Sequence, residues 1–131
     1  MRNIKAFTLI ELIVVILIVG ILAAASIPLM RGRIESARWA EATAIAGTIR
    51  SAARVAFAEE EFTTGSLAMN NQDDRATLGF HENDLRGTYF DASNFSVSID
   101  ANGDTTVTVS AGEGVSGQGT LDRDGWSVSG N

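Results

Sequence analysis

The chain has 131 residues, a formal charge of −6, 45% apolar residues and no cysteine, so disulfides, thiolate catalysis and Cys-ligated metals are excluded. Roughly a hundred residues lie beyond an apolar N-terminal run, which is room for one small domain. From Phe62 onward three arginines stand against ten Asp and Glu, a balance of −7 that disfavours non-specific nucleic-acid binding, and no specific nucleic-acid partner is expected.

Residues 1–6, MRNIKA, form a short leader with Arg2 and Lys5, and the positive-inside bias keeps this end cytoplasmic. Residues 7–30 read FTLIELIVVILIVGILAAASIPLM, nearly all apolar with one acid, Glu11. As a helix this run spans about 36 Å, enough for the ~30 Å hydrocarbon core of a bilayer. A carboxylate inside such a run costs roughly 2.5–3.5 kcal/mol at the helix centre, so Glu11 calls for an explanation. Three readings compete. A secretory signal would be cut after Ala23-Ala24-Ala25, before Ser26, but Glu11 interrupts its apolar core and the run is at or beyond the usual length. A plain membrane anchor leaves Glu11 unexplained.

The third reading is a resemblance. MRNIKA followed by FTLIELIVVILIVGILAAASIP resembles the N-terminus of type IV prepilins and the related type II secretion pseudopilins. That family carries a short basic leader, a Phe after the cut, a Glu five residues into the mature chain and often a Pro near the end of the span. These fall here on Phe7, Glu11 and Pro28. One position departs: the family usually has Gly before the cut, and this chain has Ala6, which is also small. The resemblance implies cleavage by prepilin peptidase between Ala6 and Phe7, then N-methylation of Phe7. Physics gives Glu11 a role in that picture. Cleavage leaves Phe7 with an ammonium, and a neighbouring subunit's ammonium would neutralise a carboxylate that is costly to bury unpaired. Glu11 would thereby set subunit register. Pro28 removes a backbone donor and clashes with the carbonyl four residues back, which predicts a kink or loosening over residues 24–28, with Gly20 a further weak point.

Residues 31–61 continue at helical period as an amphipathic half. Trp39, Ala42, Ile45, Ala46, Ile49, Ala52, Ala53, Ala56 and Phe57 form an apolar stripe, whereas Arg31, Arg33, Glu35, Arg38, Glu41, Arg50 and Arg54 lie largely off it. The stripe, with Trp39, Ile45, Ile49 and Phe57 as its large members, is expected to pack on a sheet. Ala40, Ala44, Gly47 and Ser51 are left to pack between subunits. Unbroken from Phe7 to Glu61, the helix would be roughly 80 Å long. Glu59-Glu60-Glu61 sits where the helix dipole disfavours acids, which suggests fraying, a partner such as Arg50 or Arg54 of an adjacent subunit, or a solvated face. Thr63, Thr64 and Gly65 are expected to stop the helix.

Residues 62–131 should hold a connecting loop and an antiparallel sheet. Residues 65–87 read as a polar loop with one short helical candidate, Glu82 to Arg86, and His81 reads as a surface loop residue. From Phe95 the period becomes two. Asn102-Gly103 marks a hairpin, and alternation selects a three-residue loop, Ala101-Asn102-Gly103, with Gly103 left-handed, Val97 opposite Val107 and Phe95 opposite Val109. The same test at Asp124-Gly125 predicts a two-residue turn pairing Leu121 with Val128. Gly112 to Gly119 reads as a loose connection.

Asp100, Asn102 and Asp104 resemble the start of a calcium loop, but position six is Thr105 and position twelve is Ala111, so turn chemistry is the better account. Asp122 and Asp124 are a second weak set. Related pseudopilins bind calcium in this region, so calcium stays a candidate and no other cofactor is expected. The expected fold is α+β and pilin-like, a long N-terminal helix packed on a small C-terminal antiparallel sheet. No catalytic constellation is visible. The resemblance implies a structural subunit of a homo-oligomeric type IV pilus-like filament, or a type II secretion pseudopilin. Its partners would be prepilin peptidase, an assembly ATPase, a platform protein and, in a diderm cell, a secretin. Such a subunit starts as a single-pass inner-membrane protein with its N-terminus cytoplasmic and ends in a periplasmic or extracellular filament. The reading from another class is a secreted or membrane-anchored monomeric binding domain.

Overall fold

The computed structural model describes residues 6–130, so the leader ahead of Ala6 lies outside the described residues. The element order is α1 (Leu9–Ala58), β1 (Gly65–Ala68), α2 (Gln72–Thr77), a 3-10 turn (Ala92–Asn94), β2 (Phe95–Ile99), β3 (Thr105–Val109), β4 (Gln118–Asp122) and β5 (Gly125–Ser129). This is a long helix followed by a five-stranded antiparallel sheet in the order β1-β2-β3-β4-β5, the α+β pilin-like architecture. By internal contacts the chain divides into Met1–Ile34 and Glu35–Asn131, a boundary that falls within α1.

In the first unit, residues 9–34 are a stretch of α1 whose large apolar side chains are exposed, Ile16 at 62% and Ile21 at 62% among them. The helix is uninterrupted through Gly20 and Pro28. Pro28 has no N–H to offer the carbonyl of Ala24. Two residues upstream, the Ser26 hydroxyl donates to the Leu22 carbonyl at 2.8 Å, a bond back onto the helix.

Glu35–Asn131 holds the core. Trp39, Ala42, Ala46, Ile49, Ala53 and Ala56, spaced at three and four, are all buried, and Ile45, Ala52 and Phe57 pack against the same cluster. The facing surface comes from period-two strands: Phe95, Val97 and Ile99 of β2 and Val107 and Val109 of β3 are buried while their neighbours are not. Large buried side chains of this kind each stabilise by about 1.5–3 kcal/mol relative to exposure. Alanines on the helix face let the sheet approach closely.

The first hairpin has the expected register, Val97 opposite Val107 and Phe95 opposite Val109. Gly103 is left-handed at φ +82°, its N–H donating to the Asp100 carbonyl at 3.0 Å. A side chain there would also strike Phe57, whose ring lies 2.7 Å from where a Cβ would stand.

Several expectations are corrected. The helix ends at Ala58, ahead of Glu61, because Glu60 turns left-handed (φ +60°). The Glu61 N–H then donates to the Ala56 carbonyl at 3.0 Å and the Glu60 N–H to the Phe57 carbonyl at 3.2 Å, a Schellman closure built without glycine. Gly65 opens β1 and does not stop the helix.

The stretch 65–87 is not a plain loop. It contains β1, paired with β2 through Leu67↔Val97, and α2, capped by Asn71 accepting the Asp73 N–H at 2.9 Å. Glu82 to Arg86 is a turn and not a helix, with the Asp84 carboxylate accepting the His81 N–H at 2.7 Å.

The β4–β5 turn residues are Arg123-Asp124, and Leu121 pairs with Trp126 while Val128 pairs with Gly119. Alternation selects the face but not between registers two residues apart. Here Asp122 accepts the Asp124 N–H at 2.8 Å, and the shift sets the Trp126 ring over Gly119. The loose connection is also shorter than expected, since Gln118 and Gly119 belong to β4.

Candidate functional site

Ala6 and Phe7 are exposed and non-helical, immediately ahead of α1. An exposed, irregular backbone of this kind is open to a peptidase. The helix begins at a capping box, the pattern Thr-x-x-Glu over Thr8 and Glu11. The Thr8 hydroxyl accepts the Glu11 N–H at 3.4 Å. In return Glu11 Oε2 accepts the Thr8 N–H at 3.3 Å and the Thr8 hydroxyl at 3.1 Å. Both returning bonds use one oxygen, and Oε1 has no partner among the described residues. Glu11 is exposed, as is Phe7 at 83%. Sequence reasoning gave Glu11 no capping role, although the capping pattern was legible in FTLIE.

Of the four expected packing residues, Trp39 and Ile49 are buried and Ile45 and Phe57 are partly buried against the core. Trp39 stacks between Phe90 (centroids 5.4 Å apart) and Trp126 (5.8 Å). Gly119 makes this possible: a Cβ there would stand 2.3 Å from the Trp126 ring and 2.8 Å from Trp39.

Three polar residues off the stripe clamp loops to the helix. Glu41 Oε1 accepts the backbone N–H groups of Tyr89 at 2.9 Å and Phe90 at 3.1 Å, and it fills the space that a side chain at Gly87 would need. Burial pushes the Glu41 carboxyl up, but hydrogen bonds from Tyr89, Thr88 and Phe90 outweigh it and hold the group below its ordinary value. Arg38 donates to the Gly114 carbonyl and lies over the Tyr89 ring, 4.7 Å from its centroid. Glu35 accepts the Ser116 N–H at 3.2 Å. The partners are 48 to 81 residues away in sequence, and no local pattern announces them.

The calcium candidates are engaged as turn residues. Asp100 Oδ1 accepts the N–H groups of Asn102 and Asp104, both at 2.9 Å, and these bonds, led by that from Asp104, hold its carboxyl below the ordinary value. Asp104 pairs with Arg123 at 3.3 Å, and Asp122 closes the turn at Asp124. Among the described residues no three His, Asp or Glu side chains gather as a metal site. His81 is exposed and contacts Asp84 at 3.3 Å.

Residues 1–27 match the family model described as the prokaryotic N-terminal methylation motif, the signature of type IV pilins and pseudopilins. Comparison with curated proteins and with solved structures gives no match. α1 is long and apolar enough to cross a membrane, and motif and helix together fit an inner-membrane-anchored precursor.

Proposed function

We propose that this chain, whose first 27 residues carry the methylation signature, is a structural subunit of a type IV pilus-like filament. On this reading prepilin peptidase cuts between Ala6 and Phe7, Phe7 is N-methylated, and the mature chain polymerises through the apolar half of α1. The observation that carries the proposal is Glu11. It is the one acid in an exposed apolar span, and one of its oxygens is left over by the capping box. A neighbouring subunit's Phe7 ammonium supplies the missing charge, and the carboxylate becomes tolerable in an apolar surround only when so paired. Gly20 and Pro28 are the weak points at which the helix adjusts on leaving the bilayer. Assembly in this scheme draws on an ATPase, a platform protein and, in a diderm cell, a secretin. It needs no cofactor. The signature is shared with pseudopilins of type II secretion, which would use the same chemistry in a periplasmic filament.

The test is the intact and N-terminal mass of the protein recovered from membranes and from sheared filaments. A chain beginning at methylated Phe7 supports the proposal. A start at Ser26 overturns it, since the assembly helix would be gone, and an uncut Met1 throughout points to a plain anchor. Glu11→Ala is expected to leave Glu35–Asn131 folded while reducing filament recovery at least about a hundredfold, since breaking a buried ion pair costs roughly 3–5 kcal/mol.

A further inference from the structure

Glu35–Asn131 carries fifteen Asp and Glu against six Arg. Arg38, Arg75 and Arg123 each have partners, the Gly114 carbonyl, the Met69 carbonyl and Asp104, and Arg86 lies close enough to Asp91 to interact with its charge. Arg50 and Arg54 stand apart. They lie one turn apart on α1, where like charges repel, and neither makes a hydrogen bond or ion pair among the described residues. The Nε of Arg50, like those of Arg38 and Arg75, is buried without a partner, but Arg50 has no second side-chain nitrogen bonded elsewhere among the described residues.

A second uncompensated cluster lies at the end of the same helix. Glu59, Glu60 and Glu61 collect at the negative end of the dipole, and no side-chain partner is found for them among the described residues. Each cluster is unfavourable within one chain, and the two are complementary between chains. Arg54 stands four residues, about 6 Å along the axis, before the helix end at Ala58, and Glu59 to Glu61 follow in the turn beyond it.

The surface beside the arginines permits close approach. Ala40, Ala44 and Ser51 are exposed and small, and the Ser51 hydroxyl is turned back to the Gly47 carbonyl at 2.9 Å, so the face asks little of solvent. We propose that this face of α1 docks on a second, parallel copy of the chain, with Arg50 and Arg54 against that copy's Glu59 and Glu61. The inference rests on the filament reading, which supplies parallel copies, and it assigns the pairing that fixes their stagger above the membrane.

The test uses the full chain, which has no native cysteine. Copies carrying Arg54→Cys are co-expressed with copies carrying Glu61→Cys, and sheared filaments are oxidised. The expected product is a disulfide-linked heterodimer in excess over either homodimer. In parallel, Arg54→Glu is expected to lower filament recovery about fivefold, roughly the worth of one exposed pair, and Glu59→Arg with Glu61→Arg in the same chain to restore it. Wild-type filaments combined with no heterodimer, or with an Arg54→Glu chain that assembles normally, overturn the pairing and leave the filament reading intact. Wild-type membranes that yield neither a processed Phe7 terminus nor any sheared polymer overturn both.

Discussion

The two stretches of α1 on either side of Ile34 belong to one helix, yet they obey different rules. Ahead of it, isoleucine, leucine and valine face outward all round. After it, the apolar residues are fewer, smaller and confined to one face, and they disappear against the sheet. A helix apolar on every side requires an external apolar medium, whether lipid or other helices. A helix with one apolar stripe brings its own cover. One continuous element therefore serves two solvents, and the transition between them is a change in pattern and not a change in secondary structure.

The sharpest way to break that comparison is to make the same truncation on both sides. Ile49→Ala is expected to cost about 2–5 kcal/mol and to lower the midpoint of thermal unfolding in detergent by more than 8 °C. Ile16→Ala is expected to stay within about 0.5 kcal/mol on the same measurement, as for an exposed position. Near-ultraviolet circular dichroism of Trp39 and Trp126 would follow both. Equal shifts would erase the distinction.

The next effect tests the tight packing of the second region. Gly119→Ala places a methyl group against both tryptophan rings, so a loss of about 1–3 kcal/mol is expected, with a changed tryptophan fluorescence spectrum. An unchanged spectrum and midpoint would mean that the rings have room to spare.

A smaller effect concerns the Glu41 clamp. Its folded pKa is depressed below the unfolded value, ordinarily 4.5, so its contribution is complete above that value and is lost as pH falls through the folded one. Glu41→Gln should destabilise by about 1–2 kcal/mol at neutral pH. The difference from wild type should shrink as pH is lowered below 4.5. A difference that stays constant with pH would remove the charge from the explanation.

The smallest effect is a gain. Glu60→Gly relieves a left-handed side chain and removes an acid from the helix end, which should stabilise by about 0.5–1 kcal/mol after the added flexibility of the unfolded chain. Urea titration would resolve it. If that glutamate also contributes to contacts between copies, filament recovery would fall even as the isolated fold gains.

Much of this protein is written in patterns local to the chain. The apolar run, the acid within it, the Thr8-x-x-Glu11 capping box, the three-and-four spacing from Trp39 to Phe57 and the alternation of β2 and β3 all reflect interactions within a few residues or a repeating geometry. Such features declare themselves in sequence because helix and strand have fixed periods. The register at Asn102-Gly103 was legible for the same reason, since a one-residue slip would have turned valines to solvent.

What only the tertiary structure decided has no period. β1 buries one side chain of four and α2 one of six, too few for any pattern, and both are held by the neighbours they meet. Alternation left the β4–β5 register open by two residues, and the fit of Trp126 between Gly119 and Trp39 closed it. The Glu41, Arg38 and Glu35 clamps join residues that share no local relation, because a hydrogen bond to a distant loop depends on where the fold brings that loop. The helix stopped where a left-handed Glu60 let the last carbonyls be satisfied, although the sequence put its breakers at Thr63 to Gly65. Periodicity determines which faces are apolar. Only packing determines which faces meet, and at which residue the backbone turns to let them.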